Sequence, residues 1–130
     1  MQKVSIEALA RQQLAHAATY GRNAADTVVG GHERVLRQTV IGMLGGSELG
    51  EHENPGEASV YVLKGSVRLV AGDQHWEART GDLLTIPDTR HSLVAWWIRQ
   101  SFSPSRSCPD RSAPVRVYCR AWLRRTSMRR

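Results

Sequence analysis

The side chains of this 130-residue sequence best suited to chemistry are five histidines, two cysteines and a set of scattered carboxylates. Imidazole binds first-row transition metals well and hydrogen-bonds through either ring nitrogen, so the histidines come first. His16, His32 and His75 each stand without a partner and read as solvated rings. His52 and His91 remain, beside Asn54-Pro55-Gly56 and Pro87-Asp88 respectively. Cys108 and Cys119 have no CxxC spacing and no histidine nearby, which indicates neither a zinc site nor a redox pair. Gly45-Gly46 is too little to cradle phosphate, and the sequence has no G-x-S-x-G, P-loop or dinucleotide fingerprint. Tyr61 and Arg68 are polar handles for a cavity and Trp76 a core or pocket wall. Strand alternation by itself does not say which face is inward.

The elements that must position these residues are mostly strands. Ile6, Leu9, Ala10, Gln13, Leu14 and Ala17 recur at helical spacing, with Ser5 as N-cap and Gly21 as stop, which predicts a short helix over residues 6–20. Residues 21–31 read as a polar loop, and a strand is expected from Val35 to Met43. Short runs follow at Ser59–Leu63, Ser66–Val70, His75–Arg79, Leu83–Ile86 and Ser92–Ala95. Turn candidates Lys64-Gly65, Ala71-Gly72-Asp73, Thr80-Gly81-Asp82 and Pro87-Asp88 punctuate them. Close-set strands with no helices between them predict a mainly β sandwich or barrel.

The phrase Gly50-Glu51-His52-Glu53-Asn54-Pro55-Gly56-Glu57-Ala58-Ser59-Val60-Tyr61-Val62-Leu63-Lys64-Gly65 resembles the first motif of the cupin superfamily, an H-x-H, then a Glu, then a hairpin Gly. Gly81-Asp82-Leu83-Leu84-Thr85-Ile86-Pro87-Asp88-Thr89-Arg90-His91-Ser92 is similar to the second, a Gly-Asp turn leading a strand to a Pro and a His. The resemblance covers residues 32–95 and implies a double-stranded β-helix, or jelly roll, holding a small molecule or a metal in its mouth. It implies a ligand pocket of His52, Asn54, His91, Tyr61 and Trp76. Metal-binding cupins use three His and one Glu, and this chain departs from that set. Asn54 stands at the second His, and Ala58 rather than Glu57 at the Glu position. The implied metal set is therefore His52, His91 and Glu57, with Glu57 turned inward only if a bulge at Pro55-Gly56 shifts the phase. The expected cofactor is none, or one divalent ion: iron, manganese, nickel or zinc.

Beyond Ala95 the character changes. Residues 1–95 hold 9 Lys/Arg against 11 Asp/Glu, a net of −2, whereas residues 96–130 hold 9 Arg against Asp110 alone, a net of +8. Residues 96–106 read one base out of frame allow Val-Val-Asp-Ser-Ala-Val-Leu-Leu-Thr-Val, which resembles a final barrel strand. The expectation is three segments: a helix and linker over 1–31, a barrel over 32–95, and an Arg-rich tail over 96–130, disordered or out of frame, with the last strand missing. Val115–Leu123 would be at most weakly helical.

These features favour a small-molecule-binding barrel with a sensing, regulatory or sequestering role. A metal-dependent dioxygenase or isomerase is the alternative, and a basic-tailed nucleic-acid-associated protein is a third. No recognition motif accompanies the tail charge, so nucleic acid is not the expected partner. No apolar run reaches the ~18 residues of a membrane span, and a cytoplasmic homodimer is expected.

Overall fold

A computed structural model describes residues 2–30, 34–53, 56–96 and, for the backbone, 115–123. The helix α1 (Ile6–Tyr20) begins where Ser5 accepts a hydrogen bond from the Ala8 amide and ends at Gly21. Nine strands follow: β1 (Asn23–Val29), β2 (Leu36–Met43), β3 (Glu48–His52), β4 (Gly56–Lys64), β5 (Ser66–Ala71), β6 (Gln74–Arg79), β7 (Leu83–Thr85), β8 (His91–Ala95) and β9 (Val115–Leu123). They form a five-stranded sheet of order β1-β2-β9-β4-β7 and a four-stranded sheet of order β3-β8-β5-β6. All the pairings are antiparallel. This is the jelly-roll arrangement the sequence predicts.

Between the sheets lies one core. Ile41, Met43, Val60 and Val62 come from the five-stranded sheet, and Val67, Leu69, Ala78, Leu93 and Ala95 from the four-stranded one. Alternation along β4 explains the choice, since Val60 and Val62 are buried while Tyr61 between them is exposed. At the hairpins, Gly65 and Gly72 take φ of 104° and 58°, the left-handed region that favours glycine. The helix packs on the outer side of β2, where Ala10, Gln13 and Ala17 are buried with Val40. There a Cβ on Gly42 would lie 2.6 Å from the Leu14 amide nitrogen, so the close approach of helix to strand requires glycine.

Two expectations are corrected and one strand is added. Residues 23–29 form a strand rather than loop, because their backbone groups pair along β2 from Asn23↔Met43 to Val29↔Gln38. Glu48–His52 is also a strand, at the edge of the four-stranded sheet. The barrel does not lack its last strand. Val115–Leu123 runs between β2 and β4, from Leu36↔Trp122 to Met43↔Val115 on one side and from Gly56↔Leu123 to Lys64↔Arg116 on the other. Two facing ladders of unpaired N–H and C=O groups are a strong sink for any chain that reaches them. They outweigh the arginines in Val-Arg-Val-Tyr-Cys-Arg-Ala-Trp-Leu, whose β-branched and aromatic residues suit a strand. The sheet thus continues past the expected boundary at residue 95. The remaining tail, including Trp97-Ile98 and Cys108, lies outside the described residues.

Candidate functional site

Directly paired residues of an antiparallel ladder share a face, so the register of the four-stranded sheet can be read as rows on its inner surface. Val67 lies opposite both Ala78 and Ala95. The next row crosses all four strands as Leu49, Leu93, Leu69 and Trp76. One step farther stand the pairs His52↔His91 and Ala71↔Gln74. The inner surface therefore passes from small apolar, through large apolar, to polar at one end.

His52 reaches this face through an irregularity. Leu49 pairs with Leu93 and His52 with His91, so β3 spends three steps where β8 spends two, and the register shifts between Leu49 and His52. Without that extra residue His52 would sit on the face opposite Leu49. Of the bulge considered in the sequence at Pro55-Gly56, Pro55 lies outside the described residues and Gly56 already pairs with Leu123 in β4, whereas the register of β3 shifts at Gly50-Glu51.

The two imidazoles meet edge to face, with ring centroids 4.4 Å apart and planes 65° from parallel. His91 is only 5% exposed, while His52 is open to solvent. In each ring Nδ1 donates to the backbone two residues earlier, His52 to Gly50 O at 2.9 Å and His91 to Thr89 O at 2.9 Å. Because a carbonyl oxygen only accepts, Nδ1 carries a proton, and Nε2 of each ring is the nitrogen left to meet a ligand. On the outward face, Arg90 ties the strands together, with Nε 3.3 Å from Glu51 Oε1 and a terminal nitrogen 3.6 Å from Glu53 Oε1.

Of the residues expected in the pocket, His52 and His91 come together, and Trp76 is on the inner face at 40% exposure. Asn54, like His32, lies outside the described residues. Tyr61 does not join them: it is on the outer face of β4, opposite Leu83, because Val60 and Val62 take the inward positions. Glu57 is exposed for the same reason, while Ala58 packs against the core. Among the described residues no three of His, Cys, Asp or Glu form a metal-holding group, so the set His52, His91 and Glu57 does not assemble. Among the described residues, two imidazoles with no third donor fall short of the three- or four-ligand sites usual for zinc. Arg68 is no cavity handle either, for it bonds Glu77 across the outer face and stacks 3.7 Å over the Trp96 ring. Gln74 escaped the sequence reading, although the Gly72 turn and a two-residue step from Trp76 were enough to find it.

Comparison with known proteins gives one family model and many structures of similar fold. Residues 39–95 match the family model described as Cupin domain. No curated protein matches the sequence. A structure of unknown function from Rhizobium leguminosarum is similar at TM-score 0.63 and 12% identity, with 95% of this chain and 97% of that chain covered. A cupin superfamily protein from Desulfitobacterium hafniense gives TM-score 0.57 and 13% identity, covering 85% and 88%. The DMSP lyase DddQ from Ruegeria pomeroyi gives 0.60 and 16%, covering 85% of this chain and 52% of that one. At such identities the likeness concerns the fold alone.

Proposed function

We propose that the chain, which matches the cupin-domain family model over residues 39–95, binds a small molecule at the His52–His91 end of the barrel, in a sensing, regulatory or sequestering role. The observation that carries this reading is the imidazole pair, 4.4 Å apart, with both Nδ1 atoms committed to backbone carbonyls. A ligand that donates hydrogen bonds meets two Nε2 lone pairs, and its apolar body meets Leu49, Leu69, Leu93 and Trp76. The polar row beside an apolar row selects for molecules with a polar head and an apolar body.

A second reading is favoured by the same two bonds, since metal-bound histidines characteristically donate their other nitrogen to a carbonyl or carboxylate. A divalent ion would then take two protein nitrogens and complete its shell from solvent or ligand. With no third donor among the described residues, a dioxygenase or isomerase role has less support than binding. No helix among the described residues is long and apolar enough to cross a membrane, and the reading places the protein in the cytoplasm as a homodimer.

Purification without added metal, elemental analysis and a small-molecule thermal-shift screen separate the two readings. Binding is expected to survive chelation, to vanish in His91→Ala, and to weaken in Trp76→Ala. Near-stoichiometric metal that is lost in both His52→Ala and His91→Ala would replace the first reading with the second.

A further inference from the structure

The ionic contact outside the site bears on the position of His52. Resting on the reading of the His52–His91 pair as the site, we infer that Arg90 is its positioning residue, locking the β3 bulge that turns His52 inward. By the register His52↔His91, Glu53 falls opposite Arg90, and Glu51 lies two residues back on the same outward face. One guanidinium thus bridges the two carboxylates that flank His52. Inside, the His52 Nδ1 proton is given to Gly50 O, within the stretch where the register shifts. The bulged residue is pinned from both faces.

What the clamp opposes is a one-residue slip of β3. A slip that absorbs the extra residue exchanges inward and outward positions. It would place Glu51 or Glu53 opposite His91 and carry His52 to the solvent face. Nothing apolar in this part of β3 resists the exchange, because Glu51, His52 and Glu53 are all exposed and Gly50 has no side chain. Leu49 pins only the far side of the bulge. Arg90 also neutralises two carboxylates that share one face, so its loss removes two attractions and leaves a repulsion.

The test uses the full chain labelled with nitrogen-15. In the wild type, ring-to-ring NOEs between His52 and His91 and Nδ1–H tautomers for both rings are expected. Arg90→Ala should lower the NOE and average the tautomers of His52 by about threefold to tenfold in population, the span that two exposed ion pairs supply. His91 should keep its tautomer, because its partner is Thr89 O. Arg90→Glu should do more, and Arg90→Lys should restore the wild-type pattern. If Arg90→Ala fails to fold, the lysine variant and a salt series on the wild type decide the matter. At about 1 M salt, where screening acts within ~3 Å, the wild type should move toward the alanine pattern. Unchanged Leu69 and Leu93 methyl signals separate this effect from general unfolding. Survival of the NOE and both tautomers in Arg90→Ala and Arg90→Glu would overturn the inference. The NMR comparison alone decides the clamp.

Discussion

The two sheets share one core and differ in what they do with their remaining surface. The five-stranded sheet is covered outside by α1 over Val40 and Gly42, and its inner positions Ile41, Met43, Val60 and Val62 are all hydrophobic core. The four-stranded sheet contributes an inner face that ends in His52, His91 and Gln74. Its outer face carries the Arg68–Glu77 pair and the Trp96 stack. The difference lies beyond the shared core: one sheet is sandwiched between helix and core, whereas the inner face of the other ends in polar groups at the barrel end.

The sharpest way to break this comparison is to remove β9. A chain ending at residue 114 loses the partner of both β2 and β4 along their lengths, and cooperative unfolding in circular dichroism is expected to disappear. A truncated chain that still unfolds cooperatively with a native spectrum would show that the five-stranded sheet is not the foundation described. Next in size is Gly42→Ala, whose methyl would meet helix backbone at 2.6–2.8 Å. The expected cost is about 1–3 kcal/mol in urea unfolding, as for other overpacked sites, while the His52–His91 ring contact persists. The smallest effect belongs to Arg68→Ala. With both side chains of the pair partly exposed, loss of the pair and the stack should cost on the order of 1 kcal/mol. Ligand binding should not change, because Arg68 faces away from the histidines. A large loss of binding in this variant would merge the two faces that the structure keeps apart.

Most of the barrel was legible because its core strands carry two signals at once. β4, β5 and β8 combine hydrophobic residues with glycine or proline turns, and the expected boundaries lie within a few residues of those observed. β1 and β3 carried neither signal. Both are edge strands, where one side of the ladder meets solvent and polar residues such as Asp26 and Glu51 are tolerated. β9 was hidden for another reason: its place between β2 and β4 is set by pairing with strands more than fifty residues earlier, and arginine density obscured its β-forming residues.

The candidate site divides the same way. Two histidines at the expected motif positions identified the pair before any geometry, since residue type and local turns are properties of short stretches of chain. Which neighbours shared their face was decided by phase. One extra residue at Gly50-Glu51 turned His52 inward, while unbroken alternation through Val60 and Val62 left Glu57 and Tyr61 outside. The sequence by itself determined the core strands such as β4, β5 and β8, their turns and the identity of the two imidazoles. Only the tertiary structure decided the bulge, the Arg90 bridge, the Trp76 and Gln74 rows and the insertion of β9, because each depends on which backbone ladder a segment joins and in what register.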